Sequence, residues 1–208
     1  MPDSTADNNN QQIYKPTGLT NTKFSVRNST LLFETGTKNQ YKSSKVTFSI
    51  GLNSQYTGLR DNEVSVRWSI APHYGDNIVK CFDVGYYIAT GKTRIRYEHQ
   101  HPEYTNALAV GGTPGEPITE PRVFSKLMFV KLDLPNNNET VFQVAQQQQE
   151  PGDSNSSSWK ELFHYVDRDH YVDEYPIGAQ IAIKVKDPTD NIILKDIVVE
   201  EIELNQIL

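Results

Sequence analysis

The sequence predicts an all-β domain, a two-sheet antiparallel β-sandwich of jelly-roll-like kind with one short α-helix near residues 158–168. Three observations lead to this fold class. Apolar and polar residues alternate with a period of two in many short runs, turn residues separate those runs, and only one stretch has helical spacing. We expect a polar flexible arm over residues 1–22 and a single β-sandwich domain over residues 23–208.

The first 22 residues are polar, rich in Asn and Gln, and contain Lys15 as their only basic residue. Such a segment buries too little apolar surface to offset the entropy lost on ordering. Because the whole chain has a net charge of −6 and the arm lacks a basic block, no nucleic acid partner is expected through the arm. The arm is expected to contact neighbouring subunits, with Tyr14 as an interaction residue.

Period-two alternation is clearest in the first half of the chain. Val46, Phe48 and Ile50 alternate with small polar residues, as expected for a strand with one face in the core. A Thr-Gly-Lys turn at residues 90–92 predicts a hairpin. Strands are expected in five runs: 30–35, 45–52, 64–70, 78–90 (central in a sheet) and 93–98.

The second half of the chain holds further strands. A strand pair is expected at residues 122–134 and 140–145, a strand at 181–185, and one or two final strands at 191–204. The alternation changes phase within the last run, which predicts a β-bulge near Glu200–Glu201.

Two stretches of this half are expected to be loops. Residues 105–121 hold three glycines and three prolines, so no regular element is expected to continue for long there. Long ordered loops of this kind often carry function. Residues 146–158 are a low-complexity run of Gln, Ser and Asn, which predicts a mobile loop.

The helix is predicted from one apolar stripe. Trp159, Leu162, Phe163 and Val166 fall at i, i+3, i+4 and i+7, the spacing of one helix face. Serines before Trp159 can cap the first turn. Trp159 is therefore expected to be buried against the sheet.

A tandem repeat, HYVDRD followed by HYVDEY at residues 164–175, contains the densest group of His and Asp side chains. Asp167, Asp169 and Asp173 share one side if this stretch is an extended loop, which suits calcium, although the spacing does not match an EF-hand. Alternatively, the aromatic residues form a protein- or sugar-contacting patch, or they pack a solvated helix end onto the sandwich. The candidate interaction residues of the repeat are Tyr165, Tyr171 and Tyr175.

A second histidine-rich segment, YEHQHPEY, covers residues 97–104. His99, His101 and Glu103 lie on one face if the strand continues, which is how many β-barrel metal sites begin. However, Pro102 is typical of a strand end or an edge. The segment is thus either a metal site or a pair of surface histidines.

No catalytic constellation is recognisable in the sequence. The chain has no Gly-x-Ser-x-Gly nucleophile elbow, and no phosphate-binding glycine loop followed by Lys and Ser or Thr. Its single cysteine, Cys81, lies in an apolar run rather than at a helix N-terminus. We therefore expect a protein that is not an enzyme and needs no cofactor.

Two short segments resemble parts of galactose-binding-like carbohydrate modules. The ending DNIILKDIVVEEIEL, residues 190–204, is similar to the final strand of those modules, and TLLFETG, residues 30–36, is similar to their opening strand. The resemblance includes no ligand residue, so it implies a β-sandwich without assigning a binding site.

Two functions from different classes follow from these patterns. The first is a non-enzymatic structural subunit of a large assembly, such as a virion, phage or injection-machine component, with copies of itself or other subunits as partners. The alternative is a carbohydrate-binding β-sandwich module with a glycan partner. Because no signal peptide or membrane span is recognisable, we expect cytoplasmic synthesis and association with a virion or assembly.

Overall fold

A computed structural model describes residues 5–6, 12–13, 23–27, 30–34, 43–52, 62–69, 80–99, 105–149, 152, 157–169, 178–184 and 192–202. Its regular elements are strands and one 3-10 turn, Pro135–Asn137. The strands, in chain order, are β1 Thr5–Ala6, β2 Gln12–Ile13, β3 Lys23–Arg27, β4 Thr30–Glu34, β5 Ser44–Leu52, β6 Glu63–Ser69, β7 Lys80–Tyr87, β8 Thr93–His99, β9 Thr105–Gly111, β10 Phe124–Leu134, β11 Glu139–Gln149, β12 Ser157–Asp167, β13 Gly178–Lys184 and β14 Ile192–Glu201.

The strands form two main antiparallel sheets. One sheet has five strands in the order β12-β11-β10-β5-β14, and the other has seven in the order β3-β4-β13-β6-β7-β8-β9. The chain passes between the sheets after β4, β5, β9, β12 and β13, so each sheet combines strands that are distant in sequence. The two-sheet antiparallel β-sandwich expected from the sequence is confirmed.

The core lies between the sheets and is built from the inward-facing residues of each alternating strand. Val46 and Phe48 of β5 and Val66 of β6 are fully buried, and Trp68 is only 1% exposed. The indole Nε1 of Trp68 donates a hydrogen bond to Ser44 Oγ at 2.9 Å, which satisfies its one polar atom. The alternation that predicted these two strands therefore also identified their core faces.

The helix expected near residues 158–168 is wrong. This segment is β12, an edge strand of the five-stranded sheet that pairs antiparallel with β11. Trp159 was expected to be buried but is 39% exposed, because it points away from the core.

A β-bulge in β12 places two adjacent apolar residues in the core. Val144 of β11 pairs with Phe163, whereas the next residue, Ala145, pairs with Glu161. Leu162 is therefore an extra residue, and both Leu162 and Phe163 are buried in the core, at 1% and 4% exposure. The residues of the predicted helix stripe therefore do not share a face, because Leu162 and Phe163 point into the core whereas Trp159 points away from it.

The loops predicted from composition were also wrong in part, because two of their segments are strands. The Gly- and Pro-rich stretch begins with β9, whose last residue is Gly111, and the glutamine run 146–149 continues β11. In both places a neighbouring strand supplies hydrogen-bond partners that outweigh local propensity. The bulge expected near Glu200–Glu201 is instead a register shift between Lys195 and Val198.

The irregular stretch 112–123 is tied to the sandwich by a buried glutamine. Gln146, 1% exposed, accepts a hydrogen bond from the Glu116 N–H at 2.7 Å and donates to the Glu116 carbonyl at 3.1 Å and to Ser125 Oγ at 2.7 Å. The Tyr86 hydroxyl donates to the same carbonyl at 2.5 Å. Burial is the main reason that the pKa of this phenol lies above its usual value. The stretch is thus a fixed loop.

Two groups of buried charges are internally paired. The Arg94 guanidinium, 2% exposed, donates from Nε to Glu63 at 3.1 Å and from Nη2 to Asp83 at 3.1 Å. Lys131 Nζ is fully buried and donates to both carboxylate oxygens of Asp133, at 2.7 and 2.8 Å. Buried charges of this kind are tolerated because each has a partner.

Little of the expected N-terminal arm is described. Residues 5–6 and 12–13 pair with each other as β1 and β2, and β2 contacts β14. The flexibility of the arm and its contact with a neighbouring subunit stay predictions. Within the described ranges, no helix is long and apolar enough to cross a lipid bilayer.

Candidate functional site

The outward face of the five-stranded sheet has an aromatic and polar cluster at its β12 edge. Trp159 is 39% exposed, and the side chains of Glu161 and His164 are 55% and 45% exposed. Two glutamines of the neighbouring strand β11 lie on the same face. We call this group the outer cluster; its members are Gln143, Gln147, Trp159, Glu161 and His164.

The bulge at Leu162 assembles the outer cluster. In a regular strand, residues three positions apart point to opposite faces. Because Leu162 is extra, Glu161 and His164 instead occupy consecutive outward positions. The Oε2 atom of Glu161 and the Nδ1 atom of His164 are 3.6 Å apart.

Gln143 connects these two side chains from β11. Its Nε2 donates to Glu161 Oε2 at 3.1 Å and lies 3.1 Å from His164 Nδ1. A side-chain amide has two N–H donors, so one nitrogen can serve the carboxylate and an unprotonated Nδ1 together. In that arrangement the neutral imidazole carries its proton on Nε2, which leaves a hydrogen-bond donor for a ligand.

Small and apolar residues form the floor next to the outer cluster. Ala145 pairs with Glu161, and Gln147 pairs with Trp159, so Ala145 lies between the aromatic and polar parts of the cluster. Ala145 and Val130 are each 6% exposed but do not belong to the core between the sheets. The polar side chains therefore stand around an apolar surface.

The outer cluster has the chemistry of a site for a hydroxylated ring. The flat indole face can stack on C–H groups, while amide, carboxylate and imidazole groups can bond hydroxyls as donors or acceptors. The described residues contain no group of three or more His, Cys, Asp or Glu side chains able to hold a metal ion.

The tandem repeat identified in the sequence is divided between two environments. Asp167 is 1% exposed, whereas Asp169 is exposed beyond the end of β12. Tyr165 is half-buried and packs against the core. The pKa of the Tyr165 phenol is raised, first by burial and then by the charges of Asp167 and Asp169. The remaining candidates of the repeat lie outside the described residues: Tyr171, Asp173 and Tyr175.

The other predicted site residues are also untested. His99 is the last residue of β8, but its side chain is not among those described. His101, Glu103 and Tyr14 lie outside the described residues. The metal-site hypothesis for this segment and the interaction role of Tyr14 stay predictions.

Sequence reasoning included His164 in the tandem repeat but selected none of the other four members of the outer cluster as site residues. The signal that identifies them is present: if residues 157–167 are aligned as a strand with one extra residue at Leu162, then Trp159, Glu161 and His164 share a face. The glutamines of β11 were assigned partly to a loop, which hid their alternation.

No protein-family model matches this chain, and no curated protein matches it. Solved structures that resemble it include the metal-free carbohydrate recognition domain of Emp46p, with a TM-score of 0.48 and 9% identity over 83% of this chain and 82% of that chain. The SPRY domain of human HERC1 has a TM-score of 0.34 and 9% identity over 87% of this chain and 94% of that chain. At such values, neither likeness identifies a family or a ligand.

Proposed function

We propose that this chain is a non-catalytic carbohydrate-binding module that holds a glycan on the outward face of the five-stranded sheet. The observation that carries the proposal is the exposed Trp159 beside the bonded group of Gln143, Glu161 and His164. An indole fixed on a strand offers a large stacking surface and loses little side-chain entropy on binding.

The polar members of the outer cluster favour a hydroxyl-rich ligand over an apolar one. Glu161 supplies acceptors, Gln143 and Gln147 supply donors and acceptors, and His164 Nε2 supplies a donor. Since Gln143 already orients two of these side chains, they lose less freedom when a ligand binds.

The assembly-subunit hypothesis stays a prediction beside this proposal. It depends mainly on the N-terminal arm, of which only residues 5–6 and 12–13 are described. Solution mass by light scattering tests it, for the full chain and for a chain lacking residues 1–22. A large species that dissociates without the arm supports the hypothesis, and a monomer in both samples counts against self-assembly.

A glycan microarray probed with the full-length chain tests the binding proposal. The matched variants are Trp159→Ala and Val110→Ala, because Val110 is 68% exposed on β9 of the other sheet. We expect the wild type and Val110→Ala to retain the same glycans, and Trp159→Ala to lose at least about tenfold in affinity. An array without bound glycan, or equal binding by both variants, contradicts the proposal.

A further inference from the structure

A single row of side chains crosses the outward face from the outer cluster to the opposite edge. Trp159 pairs with Gln147, Lys126 pairs with Ser49, and Ser49 pairs with Lys195. In the register between β10 and β11, Leu127 pairs with Gln146, so one position further along Lys126 lies opposite Gln147. The pairs therefore form one line across the sheet. With strands about 4.8 Å apart, the row spans roughly 19 Å, enough for an oligosaccharide.

The two lysines of this row are half-buried, so part of each residue reaches solvent. Neither Lys126 nor Lys195 has a carboxylate partner among the described residues, and Lys195 Nζ lies 3.6 Å from the centre of the Phe124 ring. By contrast, Lys45 on the same face is paired with Glu200 at 2.9 Å. Lys45 therefore serves as a control, because it carries the same charge on the same face but is already paired with a carboxylate.

We propose that this row selects an anionic polysaccharide, one that carries carboxylate or sulfate groups, and this inference rests on the proposed function. Trp159 stacks on one sugar ring, and Lys126 and Lys195, about 10 Å apart across two strand spacings, contact successive anions.

The net charge of the chain does not attract a polyanion, so binding depends on nearby positive charges. The net charge of −6 repels polyanions at long range, so attraction has to come from charges within a Debye length, about 8 Å at physiological salt. Of the acids on outward positions of this sheet, Glu161 is hydrogen-bonded to the neutral amide of Gln143, Glu200 is paired with Lys45, and Glu139 is paired with Arg168. The row itself contains no acid, and the exposed Asp196 follows Lys195 in β14.

Affinity electrophoresis of the full-length chain tests the inference with two matched pairs of polysaccharides. Polygalacturonate and its methyl-esterified form share a backbone and differ in carboxylate charge; dextran sulfate and dextran differ in sulfate charge. We expect stronger retardation by the charged member of at least one pair, and weaker retardation as salt is added. The pair that shows the preference identifies the anion as carboxylate or sulfate.

Three single-residue variants test whether the lysines of the row cause the preference for a charged polysaccharide. Lys126→Ala and Lys195→Ala should each lower affinity for the charged polysaccharide by up to about fivefold, the effect of one exposed ion pair. Lys45→Ala should leave it unchanged. Equal retardation by the charged and neutral members of both pairs, or an equal loss in Lys45→Ala, overturns the inference.

The failure of this inference is distinguishable from the failure of the proposed function. If no gel retards the chain but the microarray shows neutral glycans bound through Trp159, the anionic selection is wrong and the binding module stands. If the microarray is also blank, both are wrong.

Discussion

His164 Nδ1 lies 3.6 Å from Glu161 Oε2, and the residue that makes them neighbours on one face of β12 is the extra, buried Leu162. The bulge therefore does two things at once. It adds an apolar side chain to the core, and it brings a carboxylate and an imidazole together outside. Gln143 bonds to both from the neighbouring strand.

Gln143→Ala should weaken glycan binding by roughly threefold to tenfold, because Glu161 and His164 lose the side chain that orients them. Titration calorimetry with a glycan retained on the microarray measures the change. The thermal midpoint should hardly move, since the bonds lost are at the surface. Gln148→Ala, another β11 glutamine outside the outer cluster, is the control; an equal loss there would show that Gln143 has no specific role.

Gly112→Ala should destabilise the fold more than Gly152→Ala. Both glycines have left-handed backbone, with φ of +82° and +86°, so alanine costs about 1–2 kcal/mol at either site. At Gly112, however, a Cβ would also collide with the carbonyl oxygen of Leu162, whereas at Gly152 no atom of the described residues lies within 4 Å of such a Cβ. The difference between the two variants in the free energy of unfolding, measured in urea, gives the cost of the collision with Leu162. Equal losses would mean that the 112–123 loop is not held at this point.

Arg94→Met should lower the free energy of unfolding by about 3–5 kcal/mol, because Glu63 would remain buried without its guanidinium partner and, among the described residues, Asp83 would keep only Arg67, whose Nε lies 3.6 Å away. The matched variant is Arg168→Met, whose side chain is 68% exposed although it pairs with Glu139 at 2.8 Å. That change should cost less than about 1 kcal/mol. Denaturant unfolding compares them, and a small effect at Arg94 would contradict the buried network.

Tyr86 should make stability fall at alkaline pH. Burial raises the pKa of its phenol, so below the ordinary value of about 10 both folded and unfolded states keep the proton and pH has no effect through this group. Above that value the unfolded state loses the proton first, and stability falls by up to about 1.4 kcal/mol per pH unit.

The variant Tyr86→Phe isolates this effect. It should be less stable than the wild type at neutral pH, by about 1 kcal/mol for the lost hydrogen bond to the Glu116 carbonyl. The gap should narrow as unfolding is repeated at pH about 11. A gap that is constant with pH would show that the phenol ionises equally in both states.

The sandwich could be predicted from the sequence because its central strands alternate without interruption. Val46 and Phe48 in β5 and Val66 and Trp68 in β6 keep one parity, and each is buried. The prediction failed at the β-bulge, where the alternation between inward and outward residues changes phase. In β12 one extra residue, Leu162, puts two adjacent residues into the core, which strand alternation does not predict, and Trp159 lies on the opposite face.

The row of side chains that crosses the sheet from the outer cluster could not be predicted, because it joins strands that are distant in sequence. Lys126 and Lys195 share a row only through Ser49 of β5, which lies between them in the sheet. Strand order is set by the whole sandwich, so no local pattern places these residues side by side.

Trp159 fluorescence tests the central claim most directly, because the chain has two tryptophans and the other, Trp68, is 1% exposed. Iodide quenching of the full-length chain should therefore report Trp159, and Trp159→Phe should abolish most of the quenching. A glycan retained on the microarray is predicted to protect the wild type from iodide in a saturable way. A glycan that binds while leaving Trp159 fully open to iodide would place the site elsewhere and contradict the assignment to this face.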